Sequence, residues 1–309
     1  MRILVTGGAG FIGSHVVDLL IEKEHHVFVL DNLSSGRKEN INNRAKFFEE
    51  DLGDYAKIKE IFDNERFDIV YHLAAQIDIR KSVKEPVFDA RVNILDSLNL
   101  IECCVKSGVK HFIFSSSGGA IYGDDVEIPT SEDAEEKPVS PYGCAKLVIE
   151  KYLHFYNKVY GLKYSCLRYS NVYGPRQNSK GEAGVIAIFF DNMLNNKKSI
   201  IFGGIQTRDF VYVGDVARAN VFVLDDNESE VYNVGTGREI DIVGLFEKMN
   251  GFFGNRFEPE FRERNKGEQL KSCLGFDKIR KNLGWRPEID LDKGLKRTYD
   301  WFLDIFKKG

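Results

Sequence analysis

The chain has 309 residues, 43% of them hydrophobic, enough apolar side chain for a large core, which excludes a disordered segment. A formal charge of -4 and a pI near 6.0 exclude the basic footprint needed for nucleic acid or an acidic membrane surface, and leave small anionic ligands that require only a local patch. Five cysteines (Cys103, Cys104, Cys144, Cys166, Cys273) show no C-x-x-C spacing, so they read as reduced thiols, with neither zinc nor disulfides and no metal expected.

The chain opens on Ile3–Thr6 and a glycine-rich turn, and no apolar run is long enough to span a bilayer, so a cytoplasmic protein without a leader is expected. Strands are predicted at Ile3–Thr6, Val27–Asp31, Phe47–Glu49, Ile69–Leu73 and Phe112–Ser115, each followed by a helix-like segment. That alternation implies a parallel sheet with helices on both faces. After Tyr164 come a further strand, Lys163–Arg168, a Gly- and Asn-rich loop, a helix over Val185–Leu194, and short strands at Ile200–Phe202 and Asp209–Val213. The expected class is α/β, a Rossmann-type doubly wound sheet over residues 1–165 with a smaller C-terminal α/β region over 166–309, the segments interleaving.

Thr6-Gly7-Gly8-Ala9-Gly10-Phe11-Ile12-Gly13 stands between the first strand and its helix. Glycines at 7, 10 and 13 allow a tight turn and close approach to a pyrophosphate at the helix N-terminus, although a three-glycine turn alone is a weak signal. Asp31 ends the second strand, where a carboxylate takes hydrogen bonds from an adenosine ribose and repels a 2′-phosphate, so NAD is favoured over NADP. Arg37 and Lys38 read as solvated. Asp51-Leu52, after the third strand, either reaches the adenine or supplies the N-cap of the next helix.

Tyr142-Gly143-Cys144-Ala145-Lys146 puts a phenol and an ammonium on one helical face after Pro141. A neighbouring Lys⁺ and an oxidised nicotinamide both favour phenolate, which would make acid-base work feasible near neutral pH. The bland alternative is a surface Tyr/Lys pair. Glycine turn, strand-end Asp, the serine cluster Ser115-Ser116-Ser117 and Y-x-x-x-K, in this order, resemble the extended short-chain dehydrogenase/reductases, most closely the UDP-glucose 4-epimerases, over nearly the whole length.

The resemblance implies that Gly7, Gly10, Phe11, Ile12, Gly13, Asp31, Asn32, Asp51 and Leu52, with Leu73, Ala74, Ala75 and Ser115, contact NAD. It implies that Asn93 and Lys146 hold the active-site helices and the nicotinamide ribose, that Ser117 bonds the reacting sugar hydroxyl, and that Tyr142 removes the 4-hydroxyl proton while NAD takes the C4 hydride. The 4-keto sugar then turns and is reduced on its other face. One residue more than usual separates the serine from Tyr122-Gly123, so Ser116 is an alternative to Ser117. The loop Ala74–Asp78 lacks a lysine found in several epimerases, which implies a weaker hold on NAD.

At the nucleotide-sugar end, Tyr169 is expected near the nicotinamide and Asn171 at the diphosphate, unless Asn171 is only part of a turn. Arg208 matches the arginine that pairs with the diphosphate, and Asp209 beside it is read as a possible internal ion-pair partner. Phe202 matches a residue beside the uracil, or is core; Arg264 matches a second arginine, shifted by one position, with Lys266 as a possible sharer. Ser272 falls where the family sets the sugar pocket, and a small side chain there implies room for UDP-N-acetylhexosamines.

Gly118-Gly119 stand where related dehydratases carry an Asp-Glu pair, which argues against dehydration. The alternatives are a UDP-glucuronate 4-epimerase, with Arg80 pairing a sugar carboxylate, and a non-catalytic dinucleotide sensor, which would not need both Tyr142 and Lys146. Excess apolar residues on the helices around Val92–Val105 (Ile94, Leu95, Leu98, Leu100, Ile101, Val105) and Leu147–Val159 imply either a homodimer through a four-helix bundle or burial within one chain.

Overall fold

The computed structural model describes residues 1–180, 184–264 and 269–308. Its first half alternates as the pattern requires: β1 (Arg2–Thr6), α1 (Phe11–Glu22), β2 (His26–Leu30), β3 (Lys46–Phe48), α2 (Tyr55–Asn64) and β4 (Ile69–His72). Next come α3 (Ile79–Lys84), α4 (Pro86–Ala90), a π-helical turn at Arg91–Leu95, α5 (Asp96–Ser107), β5 (His111–Ser117), the single turn α6 (Gly118–Ile121), α7 (Pro141–Tyr160) and β6 (Lys163–Tyr169). α7 starts where Ser140 accepts a hydrogen bond from the Gly143 amide at 3.1 Å and Pro141 fills the first helical position, whose N–H would have no partner. It ends at Gly161, whose φ of 72° is the left-handed cap that glycine adopts without strain.

The second half runs β7 (Asn171–Tyr173), α8 (Val185–Leu194), β8 (Ile200–Phe202), β9 (Thr207–Arg208), β10 (Phe210–Tyr212), α9 (Val213–Phe222), β11 (Glu230–Val234), β12 (Ile240–Asp241), α10 (Ile242–Gly251), β13 (Glu260–Arg262), β14 (Lys271–Ser272), α11 (Asp277–Leu283) and α12 (Leu291–Lys308). The strand expected over Asp209–Val213 is broken at its first residue. Asp209 turns its side chain into the interior, accepting from the Thr236 and Leu274 amides, so β9 stops before it and β10 starts after it.

The central sheet has seven parallel strands in the order β11-β6-β5-β4-β1-β2-β3. Order reverses between β1 and β4, so the crevice at their carboxyl ends is the switch point at which open α/β sheets bind ligands. β11, which the sequence pattern does not announce, returns from the second half to pair with β6. One face of the sheet packs Val16, Val17, Val216 and Trp285, and the other packs Ile58, Phe62, Leu100, Ile101, Ile149 and Leu153. A third core of Phe189, Phe190, Phe246 and Phe302 holds α8, α10 and α12 together. Among the described residues no helix is long and apolar enough to cross a membrane.

Candidate active site

The turn after β1 is fixed by sterics. Gly7 has φ 69°, and a Cβ there would lie 2.6 Å from the Ala74 nitrogen; a Cβ on Gly13 would be driven into the Gly7 carbonyl. The Gly10 amide donates to that same carbonyl at 3.0 Å. α1 begins at Phe11 with Gly10 as its N-cap and no side-chain cap, so its first amides are left for a ligand. Asp31, just past β2, accepts from the Ala9 amide at 3.0 Å and the Leu33 amide at 2.9 Å; burial raises its carboxyl above the ordinary value and these bonds oppose the rise. Asn32 donates to Asp51 at 2.6 Å, and Asp51 accepts from the Gly53 amide. The N-cap of α2 is Asp54, so the capping alternative for Asp51 does not hold. A bare helix N-terminus behind a cradle that a Cβ would fill, with a strand-end carboxylate beside it, fits a dinucleotide such as NAD.

A buried hydrogen-bond chain ties this turn to the loop after β4. Thr6 Oγ1 meets His72 Nδ1 at 2.8 Å and accepts from the Ala74 amide; His72 Nε2 meets Ser97 Oγ at 2.8 Å, and Ser97 donates to the Asn93 carbonyl. Leu73 donates its amide to Thr6 as well, so Leu73, Ala74 and Ala75 leave the sheet directly over the glycine turn. Asn93 lies within the π-helical turn, where an extra residue re-aims side chains, and its amide group grips both the N–H and the carbonyl of Gln76 at 2.9 Å. Burial holds His72 neutral, pushing its imidazole down to about 3, with the Lys146 charge adding to the effect.

Tyr142 and Lys146 stand on the first turns of α7, against the end of β5. Lys146 is buried, donates to the Ser115 carbonyl at 2.8 Å and lies 4.7 Å from the Phe114 ring centroid and 5.7 Å from that of Tyr142. Burial lowers its ammonium to about 8, against the pull of Asp89, Glu150 and Cys166. Tyr142 is shifted the other way: burial and then Asp89 raise its phenol, and the hydrogen bond with Ser117 is what opposes them. Lys146 is not among the influences on the Tyr142 phenol, and its ammonium donates to the Ser115 carbonyl.

The two serines are separated by strand alternation. Ser116 donates at 2.5 Å to Glu150, two turns beyond Tyr142 on α7; Glu150 is held by Arg168, which also donates to Tyr122 and Glu136. Ser117 shares a side-chain hydrogen bond with Tyr142. Tyr169 pairs in register with Ser117; its hydroxyl is taken by Asn220 and the Ser115 side chain. A Cβ on Gly118 would collide with the Leu274 side chain, whereas one on Gly119 would stand in ordinary contact, 3.5 Å from Ser272 Oγ.

The sugar-end candidates come from short strands around these glycines. Ser272 on β14 is opposite Arg208 on β9. Arg208 donates to the Thr207 and Gln269 carbonyls, both at 2.8 Å. Asn171 is exposed on β7 with its amide on the Asp209 carbonyl at 3.0 Å, which sets it next to Arg208 in the weave. Among the described residues Asp209 makes no ion pair: its acceptors are filled by Thr236 and Leu274, and burial raises its carboxyl to about 6. Phe202 ends β8, half-buried, and Arg264 is exposed with its Cβ 3.1 Å from the Cβ position of Gly203. Lys266 lies outside the described residues. Sequence reasoning missed Thr6, His72, Ser97, Asp89 and Glu150. The four-residue spacings Asp89/Asn93 and Lys146/Glu150 were the available signal.

The model of the NAD dependent epimerase/dehydratase family matches residues 3–235. Among solved structures, a UDP-glucose 4-epimerase of Thermotoga maritima, crystallised with UDP-glucose, is 50% identical with a TM-score of 0.97, and 99% of each chain is covered. A Thermus thermophilus UDP-glucose 4-epimerase in complex with NAD is 40% identical over 98% of this chain and 99% of that one, with a TM-score of 0.93. A UDP-N-acetylglucosamine 4-epimerase of Methanobrevibacter ruminantium, in complex with UDP-N-acetylmuramic acid, is 36% identical over 98% of each chain, also at 0.93. The matched span runs from the glycine turn through Tyr142, Lys146 and the β7 segment, and with it the chain belongs to the NAD-dependent epimerase/dehydratase family.

Proposed function

We propose that this chain interconverts UDP-glucose and UDP-galactose by epimerisation at C4, with NAD as its resident cofactor. The observation that carries the reading is the meeting of Ser117, Tyr142 and Lys146 between the end of β5 and the start of α7, on the same crevice as the uncapped N-terminus of α1. Bound NAD supplies reversible two-electron oxidation at the sugar C4. In the protein alone, burial and Asp89 keep Tyr142 a neutral phenol, so its work as a base requires a positive charge brought in from outside. With that charge in place Tyr142 would take the proton from the 4-hydroxyl oxygen and give it back to that same oxygen once the C4 hydride has been restored from the opposite face, while Ser117 orients the hydroxyl and Lys146 fixes the end of β5.

The diphosphate is taken by Arg208, Asn171 and Arg264, and the uracil by Phe202. Ser272, small and beside Gly119, leaves room for an N-acetyl group, so UDP-N-acetylglucosamine is a second substrate. NAD is held by residues 1–165 together with β6 and β11, and the sugar nucleotide by the remaining short-stranded region. Both ligands are supplied in the cytoplasm, where the enzyme acts. It works as a homodimer: Tyr152, Phe155, Val159 and Tyr160 line an exposed stripe on α7, and Val87 and Leu95 are exposed nearby. Of the set expected around Val92–Val105, Leu100 and Ile101 are internal core, Ile94, Leu98 and Val105 are half-buried, and Leu95 is exposed for a partner.

Purified protein is to be incubated with UDP-galactose, UDP-N-acetylglucosamine and UDP-glucuronate separately, without and then with added NAD. The expected products are UDP-glucose and UDP-N-acetylgalactosamine. Conversion of UDP-glucuronate alone would replace this reading with the uronate one. Tyr142→Phe is expected to lower turnover by about 10²–10⁴ while NAD stays bound; a fully active variant would remove the phenol from the mechanism.

A further inference from the structure

We propose that Asp89 is a positioning residue of this site, whose buried carboxylate braces the loop after β4 and also serves as the fixed negative charge facing the Lys146 ammonium. The inference rests on the epimerase reading above. Asp89 is 1% exposed on α4. Its Oδ1 accepts from Gln76 Nε2 and Asn93 Nδ2, each at 2.9 Å, and so completes the clamp on the loop that lies over the glycine turn. Its Oδ2 is equally buried and has no hydrogen-bond partner among the described residues. Burial raises the Asp89 carboxyl above its ordinary value, with the Gln76 and Asn93 bonds opposing the rise; a buried carboxylate oxygen left without a donor is costly, and a structural brace would not require it.

Of the charges that act on Lys146, Asp89 comes first and Glu150 second. α4 packs against α7, which carries Tyr142 and Lys146. Among the described residues no carboxylate makes an ion pair with Lys146, whose ammonium donates to a backbone carbonyl. Glu150, one turn further along α7, is committed to Arg168 and Ser116. From β4, His72 is neutral, and from β6 the Cys166 thiol is pushed well above its ordinary value by burial. On the outer side Lys81 lies over the Phe88 ring at 4.2 Å, while Arg80, Lys84, Glu85 and Arg91 are exposed to solvent. Asp89 is the largest influence opposing the lowering of Lys146, and it also raises Tyr142.

Removing the charge while keeping the shape lowers both titrations together. Asp89→Asn is therefore expected to move the whole pH window of turnover to lower pH, whereas loss of a brace alone would reduce the rate at every pH and leave the window in place. The experiment follows the Lys146 ε signal by NMR in protein labelled in lysine, assigned with Lys146→Met, in parallel with the pH dependence of kcat on UDP-galactose. In Asp89→Asn the Lys146 midpoint should fall by about one pH unit or more; an unmoved midpoint overturns the proposal. Should that variant fail to fold, the unmodified protein still decides. The Asp89 carboxyl resonance must show an inflection at the Lys146 midpoint, and a flat trace there is equally fatal. A wild type that titrates in this way without converting any UDP-sugar would refute the epimerase reading and leave the Asp89–Lys146 coupling standing.

Discussion

At the cofactor end, the residues from Thr6 to Gly13 are set by contacts within one turn and with the strands beside it, whereas at the sugar end Asn171, Phe202, Arg208 and Ser272 sit on four separate strands of two or three residues. The first end is backbone against backbone: Gly7 against Ala74, Gly13 against the Gly7 carbonyl. The second sets side chains over glycine backbone, Ser272 near Gly119 and Leu274 near Gly118. Backbone contacts cannot be relaxed by a change of rotamer, while side-chain contacts can be retuned by single substitutions. On the proposed reading, the rigid part of the fold falls at the cofactor and the adjustable part at the sugar.

The largest effect that sharpens this contrast is expected from Gly13→Ala. Its methyl group meets a carbonyl that is itself accepting from the Gly10 amide, so the turn must open, at a cost of about 3 kcal/mol or more, with NAD retention lost. Gly10→Ala is the control, because a Cβ there meets only that carbonyl, at 3.1 Å, and the cost should stay under about 1 kcal/mol. Urea unfolding and the NAD content of the purified variants measure both. Equal stability of the two alanine variants would break the steric account.

A smaller effect is expected where the two ends meet. Ser117→Ala should lower turnover by about 10²-fold with little change in stability, since its partner Tyr142 remains within reach of the substrate. Ser116→Ala should do the reverse: Glu150 Oε1 loses one of its two donors and keeps Arg168 Nε, costing about 1 kcal/mol of stability, and spares the rate. Paired kinetics and denaturant curves check the two together. A rate loss confined to Ser116→Ala would exchange the roles of the serines.

The glycine turn, the strand-end Asp31 and the Tyr142/Lys146 pair were legible in the sequence because each is local, with residues that act together lying within one turn of chain. Ser116 and Ser117 could not be separated by spacing; only the alternation of β5 against Glu150 does that. Asp209 looked like an ion-pair partner for its neighbour Arg208, yet adjacent residues of an extended segment point to opposite sides, and its true partners, Thr236 and Leu274, lie far along the chain. β11 was missed because its five residues include Glu and Asn, and its place in the sheet depends on the register with β6. The apolar excess around Leu100 and Ile101 could not be divided between core and surface without knowing which face meets α2 and α7.

The smallest effect is a difference in the sign of pH dependence between the two ends. His72 belongs to the cofactor end, and burial lowers its imidazole from 6.5 to about 3. The folded chain therefore refuses a proton that the unfolded chain accepts, so the stability contributed by neutral His72 is complete above pH 6.5 and is lost as the pH falls. Asp209 belongs to the sugar end, and burial raises its carboxyl from 3.8 to about 6. Its protonated form is favoured by folding, so its contribution is complete below pH 3.8 and is lost as the pH rises through about 6. Each slope is about 1.4 kcal/mol per pH unit at most. Unfolding in urea from about pH 6 to about pH 4 should show wild type losing ground to His72→Gln and gaining ground on Asp209→Asn. The difference between variants cancels every other carboxylate in the chain, so two slopes of the same sign would mean that at least one of these groups is solvated in the folded protein.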